Sequence, residues 1–265
     1  MKANYHTHTY RCHHALGSDE QYVKSAIAAG FEEIGFSDHT PWKYDSSFVA
    51  GMRMKLDEFS EYKRSVFALK EKYRNQITIR LGLEAEYFPQ YMPWLKEFAQ
   101  REELDYILFG NHYYQSDERR IYFGTVCASP TYLDIYVQEC INGLETGMYS
   151  YLCHPELFML AYPEFDEHCE RASYQICEAA KRLNIPLEYN LAGLRHNRQF
   201  HVEQYPHRRF WEIAKAVGNT AIIGVDAHHY LHLEDDQYWN EAVHYLDEEL
   251  KIARADRLEM KGFSK

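Results

Sequence analysis

The chain is short of positive charge: 29 Lys and Arg stand against 40 Asp and Glu over 265 residues, for a formal net charge of -11. That balance disfavours a surface that must neutralise many phosphates along a nucleic-acid backbone, while leaving room for one small anion held at a local positive centre. No apolar run approaches bilayer-spanning length and no basic-then-apolar leader follows Met1, so a cytoplasmic protein with no membrane partner is the expectation. None of the six cysteines (Cys12, Cys127, Cys140, Cys153, Cys169, Cys177) belongs to a CxxC pair, which favours buried free thiols over disulfides. Glycine, serine and proline form no linker and no repeat divides the sequence, so one domain over residues 1–265 is expected.

What the chain has in excess is histidine, 15 residues, and tyrosine, 23. Histidine is the commonest metal ligand and the usual acid/base group near neutral pH, so position must decide which ones carry chemistry. Seven short β-like runs can be read: Ala3 to Tyr5, Glu33 to Phe36, Ile77 to Leu83, Tyr106 to Phe109, Tyr149 to Cys153, Pro186 to Tyr189 and Ala221 to Val225. Helical patterns lie between them. Ser18 and Gln21 make a capping box, Gly30 can end that helix, and Phe59, Tyr62, Val66, Leu69 and Tyr73 keep helical spacing. Similar patterns occupy Tyr132 to Leu144, His168 to Leu183 and Arg208 to Val217. Repeated β/α units imply an α/β fold with a parallel sheet closed into a barrel, where sites lie at the C-terminal ends of the strands.

The polar residues fall where that rule puts a site. Run one ends in His6-Thr7-His8, run two in Asp38-His39, run three in Glu84, run four in His112, run five in His154 and run seven in Asp226-Ala227-His228. Residues two apart in an extended segment point the same way, so His6 and His8 can approach one ion together, as can Asp226 and His228. Imidazole and carboxylate suit zinc, manganese or iron, and Glu84 is the natural carboxylate bridge between two ions. A single histidine at a strand end is more often a satisfied structural residue. Ligand types at six of seven strand ends are what a metal site requires. His168, His196, His201, His207, His232 and His244 fall on helical or loop patterns and are read as structural, while His13 and His229 adjoin proposed ligands.

These residues, in this order, resemble the polymerase and histidinol phosphatase (PHP) superfamily, and within it the histidinol-phosphate phosphatase branch. The resemblance covers nearly the whole chain. It rests on His6-Thr7-His8, Gly35-Phe36-Ser37-Asp38-His39, Gly82-Leu83-Glu84, Gly110-Asn111-His112, Cys153-His154-Pro155, Glu188-Tyr189-Asn190 with Gly193-Leu194-Arg195, and Gly224-Val225-Asp226-Ala227-His228. It implies a distorted (β/α)7 barrel with a metal site at the C-terminal ends of the strands, holding three divalent ions of zinc, manganese or iron. One ion would take His6, His8, Glu84 and Asp226, the next Glu84, His112 and His154, and the third His14, His39 and His228. His14 is preferred to His13 because it lies eight residues after His6, as in the family pattern.

The activity implied is phosphomonoester hydrolysis, with L-histidinol phosphate cleaved to L-histidinol and phosphate in histidine biosynthesis. A hydroxide bridging two ions is expected to attack phosphorus, with Asp226 orienting it or taking its proton and His39 or His228 assisting the leaving alkoxide. Arg195, placed on a loop after the sixth run, could grip the phosphate bidentately, and Arg53 is a poorer candidate for the same role. Asp38 is read as a hydrogen-bonding support for a ligand imidazole. The branch commonly carries a basic residue after the fifth-strand histidine, yet His154-Pro155-Glu156-Leu157-Phe158-Met159 contains none. A different phosphate ester, a PHP exonuclease acting on nucleic acid, or a regulatory module without catalysis are the alternatives. The acidic balance opposes the second and the complete ligand set opposes the third. A small phosphorylated metabolite is the expected partner, and the sequence leaves the oligomeric state open.

Overall fold

The computed structural model describes residues 1–260 and 262–263. Its strands are β1 (Ala3–Asn4), β2 (Glu33–Phe36), β3 (Thr78–Ala85), β4 (Tyr106–Phe109), β5 (Leu187–Asn190), β6 (Thr220–Gly224) and β7 (Ala253–Ala255). The helices are α1 (Asp19–Ala28), α2 (Phe59–Lys72), α3 (Met92–Glu102), α4 (Phe123–Val126), α5 (Pro130–Glu145), α6 (Glu167–Arg182), α7 (Leu191–Phe200), α8 (Arg208–Val217) and α9 (Asp236–His244). Strands β1 to β4 pair in sequence order, all parallel, and β5, β6 and β7 form a second parallel sheet.

Two seams join these sheets into a distorted barrel. At the first, Leu152 bridges to Phe109 on one side and Leu187 on the other, and Cys153 N donates to Phe109 O at 2.8 Å. At the second, Thr7 bridges to Ala227, with His8 N donating to Ala227 O at 3.0 Å. The Asn4 side chain reinforces that seam by accepting from Val225 N at 2.8 Å and donating to Thr7 Oγ1 at 2.9 Å. The expected fifth strand, Tyr149 to Cys153, is therefore a stave of the barrel without being a regular strand. Only Leu152 pairs on both sides, because the chain turns away at His154, which takes φ 29°. A further correction is β7, an addition beside β6 that the sequence pattern did not reveal.

The helices follow local rules. Ser18 and Gln21 form the expected capping box on α1, Pro130 opens α5, and α8 has the predicted ends. Phe59, Tyr62, Val66 and Leu69 are the buried face of α2. Helix α7 was not anticipated. It starts directly after β5, where Asn190 caps it by accepting from Gly193 N at 2.8 Å. No helix among the described residues is long and apolar enough to cross a membrane.

Outside the sheet the helices cover one large apolar core; a smaller cluster holds Tyr5, Tyr106, Leu108, Tyr151, Cys153 and Ile222. Tyr106 is its centre, donating to Tyr5 O at 2.7 Å and sharing that hydroxyl with Phe36 O at 3.0 Å. The ring fits because Gly35 and Gly82 present no Cβ: one added at Gly82 would stand 2.5 Å from Tyr106 Cζ. Replacing Gly82 by Ala should overpack this plug and cost about 1–3 kcal/mol in urea unfolding; an unchanged midpoint would show that the plug does not hold the staves in place.

Candidate metal centre

Above the tyrosine plug, the strand ends converge. His6 Nε2 and His8 Nε2 are 3.1 Å apart, and Asp226 Oδ1 lies 3.5 Å from the first and 3.3 Å from the second. Glu84, the penultimate residue of β3, stands in the middle. Its Oε1 is 3.5 Å from His6 Nε2, 3.4 Å from His112 Nε2 and 3.2 Å from His154 Nε2. Its Oε2 is 3.6 Å from His8 Nε2 and 3.0 Å from His39 Nδ1. His112 Nε2 and His154 Nε2 are 3.3 Å apart. At the outer rim His14 Nε2 faces His228 Nε2 at 3.0 Å, and the His39 ring stacks on His14 with centroids 5.5 Å apart.

These spacings identify the chemistry. Donors bound to one ion at about 2.1 Å stand roughly 3.0–3.4 Å from one another. Several of the imidazoles already commit Nδ1 elsewhere, so that Nε2 carries the lone pair. His6 Nδ1 is 2.8 Å from Glu188 Oε1, His14 Nδ1 is 2.7 Å from Cys12 O, and His112 Nδ1 is 3.2 Å from Glu86 Oε1. Ring nitrogens at such separations need a proton or a metal ion between them. Glu84 Oε2 and Asp226 Oδ1 are moreover buried without a hydrogen-bond partner. The donor set fits divalent metal ions, and the groups His6–His8–Asp226, His6–Glu84–Cys153–His154 and Cys12–His14–His228 each have the compactness for one. Two of the converging residues sit on strained backbone, His154 at φ 29° and Asp226 at φ 49°, a cost that persists where surrounding structure over-determines the geometry.

Electrostatics respond to this crowding. Burial alone would strip the proton from His8, but Asp226 and Asp38 outweigh it and push its pKa up to about 9. His6 is likewise raised, burial being overcome by Glu188 and Asp226. His39 falls to about 3, through burial first and repulsion from His8 next. Burial would raise the carboxyls of Glu84 and Asp226, but the surrounding imidazoles hold both well below the ordinary range.

The structure brings together His6, His8, His14, His39, Glu84, His112, His154, Asp226 and His228. His13 turns outward at φ 67°, and His229 caps the following turn by accepting from Leu231 N, so neither joins the cluster. Asp38 braces backbone: it accepts from Thr9 N at 3.2 Å and His39 N at 2.8 Å, and its Oδ1 is 3.7 Å from His8 Nδ1.

The expected role of Arg53 and the loop placement of Arg195 are corrected. Arg53 is 1% exposed, with Nη2 donating to Glu86 Oε1 at 2.9 Å, Nε to Asp117 Oδ2 at 3.0 Å and Nη1 to Thr40 O at 3.1 Å. Its guanidinium is committed to protein acceptors, so it has no fork to offer a substrate. Arg195 lies on helix α7 instead of a loop, and its Nη2 donates to Val225 O at 2.9 Å. Its Nη1 is buried without a partner.

Two residues whose roles the sequence reading missed complete the centre. Glu188, on the strand thought to lack a contributor, orients His6. Glu86 holds His112: it lies one residue past the end of β3, two after Glu84, and its Oε1 is 3.2 Å from His112 Nδ1.

A closed parallel barrel whose mouth gathers imidazoles and carboxylates at ligand spacing defines a metal-binding α/β-barrel protein. The chain belongs to the PHP domain family, whose model matches residues 4–260. A Deinococcus radiodurans protein described as "Probable histidinol-phosphatase" is 26% identical over 232 residues, covering 84% of this chain and 85% of that one. The crystal structure of hisK from Listeria monocytogenes superposes with a TM-score of 0.73 at 18% identity, covering 88% of this chain and 98% of that one. The Lactococcus lactis histidinol phosphate phosphatase, solved with Zn, L-histidinol and phosphate, gives 0.70 at 18% identity, covering 97% and 98%. At these identities the solved structures speak for the shared fold.

Two predictions follow from the geometry. Below pH about 9 a metal ion must displace the proton on His8. Metal affinity measured by chelator competition should therefore rise from pH 6 towards 9 and then level, and a flat profile would contradict the assignment. Glu86→Gln should weaken metal binding at His112 and His154 by about 10- to 100-fold while the chain stays folded by circular dichroism; unaltered affinity would leave Glu86 with no part in placing His112.

Proposed function

We propose that this protein is a metal-dependent phosphomonoesterase that hydrolyses L-histidinol phosphate to L-histidinol and phosphate, acting as a single domain over residues 1–265. The observation that carries this is Glu84, whose carboxylate lies between two imidazole sets, His6 with His8 and His112 with His154. The names of the relatives and the ligands of the Lactococcus lactis structure support the choice of ester.

In this reading three divalent ions, of zinc, manganese or iron, are held by His6, His8, Glu84 and Asp226, by Glu84, His112 and His154, and by His14, His39 and His228. Bound there, such ions lower the pKa of water to yield a nucleophile near neutral pH and absorb charge on phosphoryl oxygens. The chain's own groups do the rest. Asp226 is fixed through Oδ2, which accepts from Asn190 Nδ2 at 3.1 Å, leaving the unpartnered Oδ1 to orient the attacking water. His228, in the cavity wall beside Asp226 with Nδ1 3.3 Å from Oδ1, and His39 stand on the side assigned to the leaving oxygen. Arg195 interacts electrostatically with Asp226 and adds positive field behind the cavity. The cavity, about 470 Å³, suits a small ester.

Purified protein reconstituted with zinc or manganese should release phosphate from L-histidinol phosphate at least about 100-fold faster, by kcat/KM, than from a general aryl phosphate, the discrimination a site with specific polar contacts supplies. Equal rates would remove the assigned substrate, and no hydrolysis of any monoester would remove the activity.

A further inference from the structure

A phosphate monoester brings several anionic oxygens to the metal centre, and those not on an ion need hydrogen-bond donors. No lysine or arginine lines the cavity among the described residues, and the segment after His154 carries none either. The walls instead carry tyrosines. Tyr113 donates to Met52 Sδ at 2.9 Å and is thereby occupied. Tyr122 and Tyr205 are half-buried and line the cavity with hydroxyls that have no hydrogen-bond partner among the described residues.

Both rings are pinned by their backbones. Tyr122 pairs antiparallel with Tyr113, and the next residue, Phe123, donates its N–H to His112 O at 2.8 Å, so the ring's position is tied to a ligand. Tyr205 is bracketed by the buried Asn197, which accepts from Gln204 N at 2.9 Å and donates to Pro206 O at 3.1 Å. The Tyr205 ring meets His154 edge to face with centroids 6.4 Å apart. A phenol is protonated at neutral pH, so both hydroxyls are available as donors.

We propose that Tyr122 and Tyr205 are substrate-contacting residues that donate hydrogen bonds to the non-bridging oxygens of a phosphate monoester. The alcohol portion of the ester then lies against Met52, Leu157 and Ala192, which complete this wall. Neutral donors held in place by the fold stabilise developing charge without the desolvation cost of a further cation. This inference rests on the phosphomonoesterase reading.

The test uses metal-loaded full-length protein with Tyr122→Phe and Tyr205→Phe, which remove one hydroxyl each and keep the rings. Metal content is expected to be unchanged, kcat/KM for L-histidinol phosphate to fall about 10- to 100-fold in each variant, and the affinity for inorganic phosphate, measured by calorimetry, to fall about 10-fold. If wild-type protein hydrolyses the ester and both variants stay within twofold of it in kcat/KM and phosphate affinity, the proposal fails and the phosphatase reading stands. If wild-type protein binds inorganic phosphate but does not cleave the ester, the substrate reading fails. Loss of phosphate affinity in the Phe variants would then still support the tyrosine contacts.

Discussion

Glu84 is buried within 3.6 Å of ring nitrogens from His6, His8, His39, His112 and His154, and one of its oxygens has no hydrogen-bond partner. A carboxylate held this way is costly unless positive charge is supplied. Protons can supply it only in part, because adjoining imidazoles repel one another: His8 is pushed up to about 9 while His39, whose ring centroid is 4.4 Å from it, is driven down to about 3. Divalent ions satisfy the carboxylate and the imidazoles at once. Metal binding is thus coupled to relief of a frustration that the fold itself creates.

The scaffold is arranged to hold that frustrated cluster in place. Tyr106 and Tyr151 fill the barrel beneath it; Tyr151 donates to Glu188 at 3.2 Å, and Glu188 in turn orients His6. On the other side Arg53 joins Glu86 to Asp117, tying the loop after β2 to the end of β3 and to the turn after β4. Trp42 Nε1 donates to the same Glu86 carboxylate at 2.9 Å. A fully engaged arginine of this kind adds rigidity, and the imidazole it reaches through Glu86 is that of His112.

The centre was legible in the sequence because strand geometry constrains it. His6 with His8, and Asp226 with His228, lie two residues apart after runs that end at one rim, so a linear pattern maps onto a shared space. The arginines were not legible, since a sequence does not tell whether a guanidinium is engaged by carboxylates distant along the chain, as Arg53 is by Glu86 and Asp117. Helix α7 was hidden because it begins without any connecting segment after β5, and Arg195 was consequently placed on a loop. The fifth stave was read correctly as extended but not as irregular, because its single bridging residue depends on the turn at His154. Strand β7 is three residues long and carries no alternation to detect.

Crystals of the protein purified without chelator and measured by anomalous scattering at the zinc, manganese and iron edges would test the central claim most directly. The account predicts at least two ions, one contacting His6, His8 and Asp226 and one contacting His112 and His154, with an oxygen of Glu84 on each. Protein that carries no ion in the mouth, or carries one that Glu84 does not touch, would contradict it.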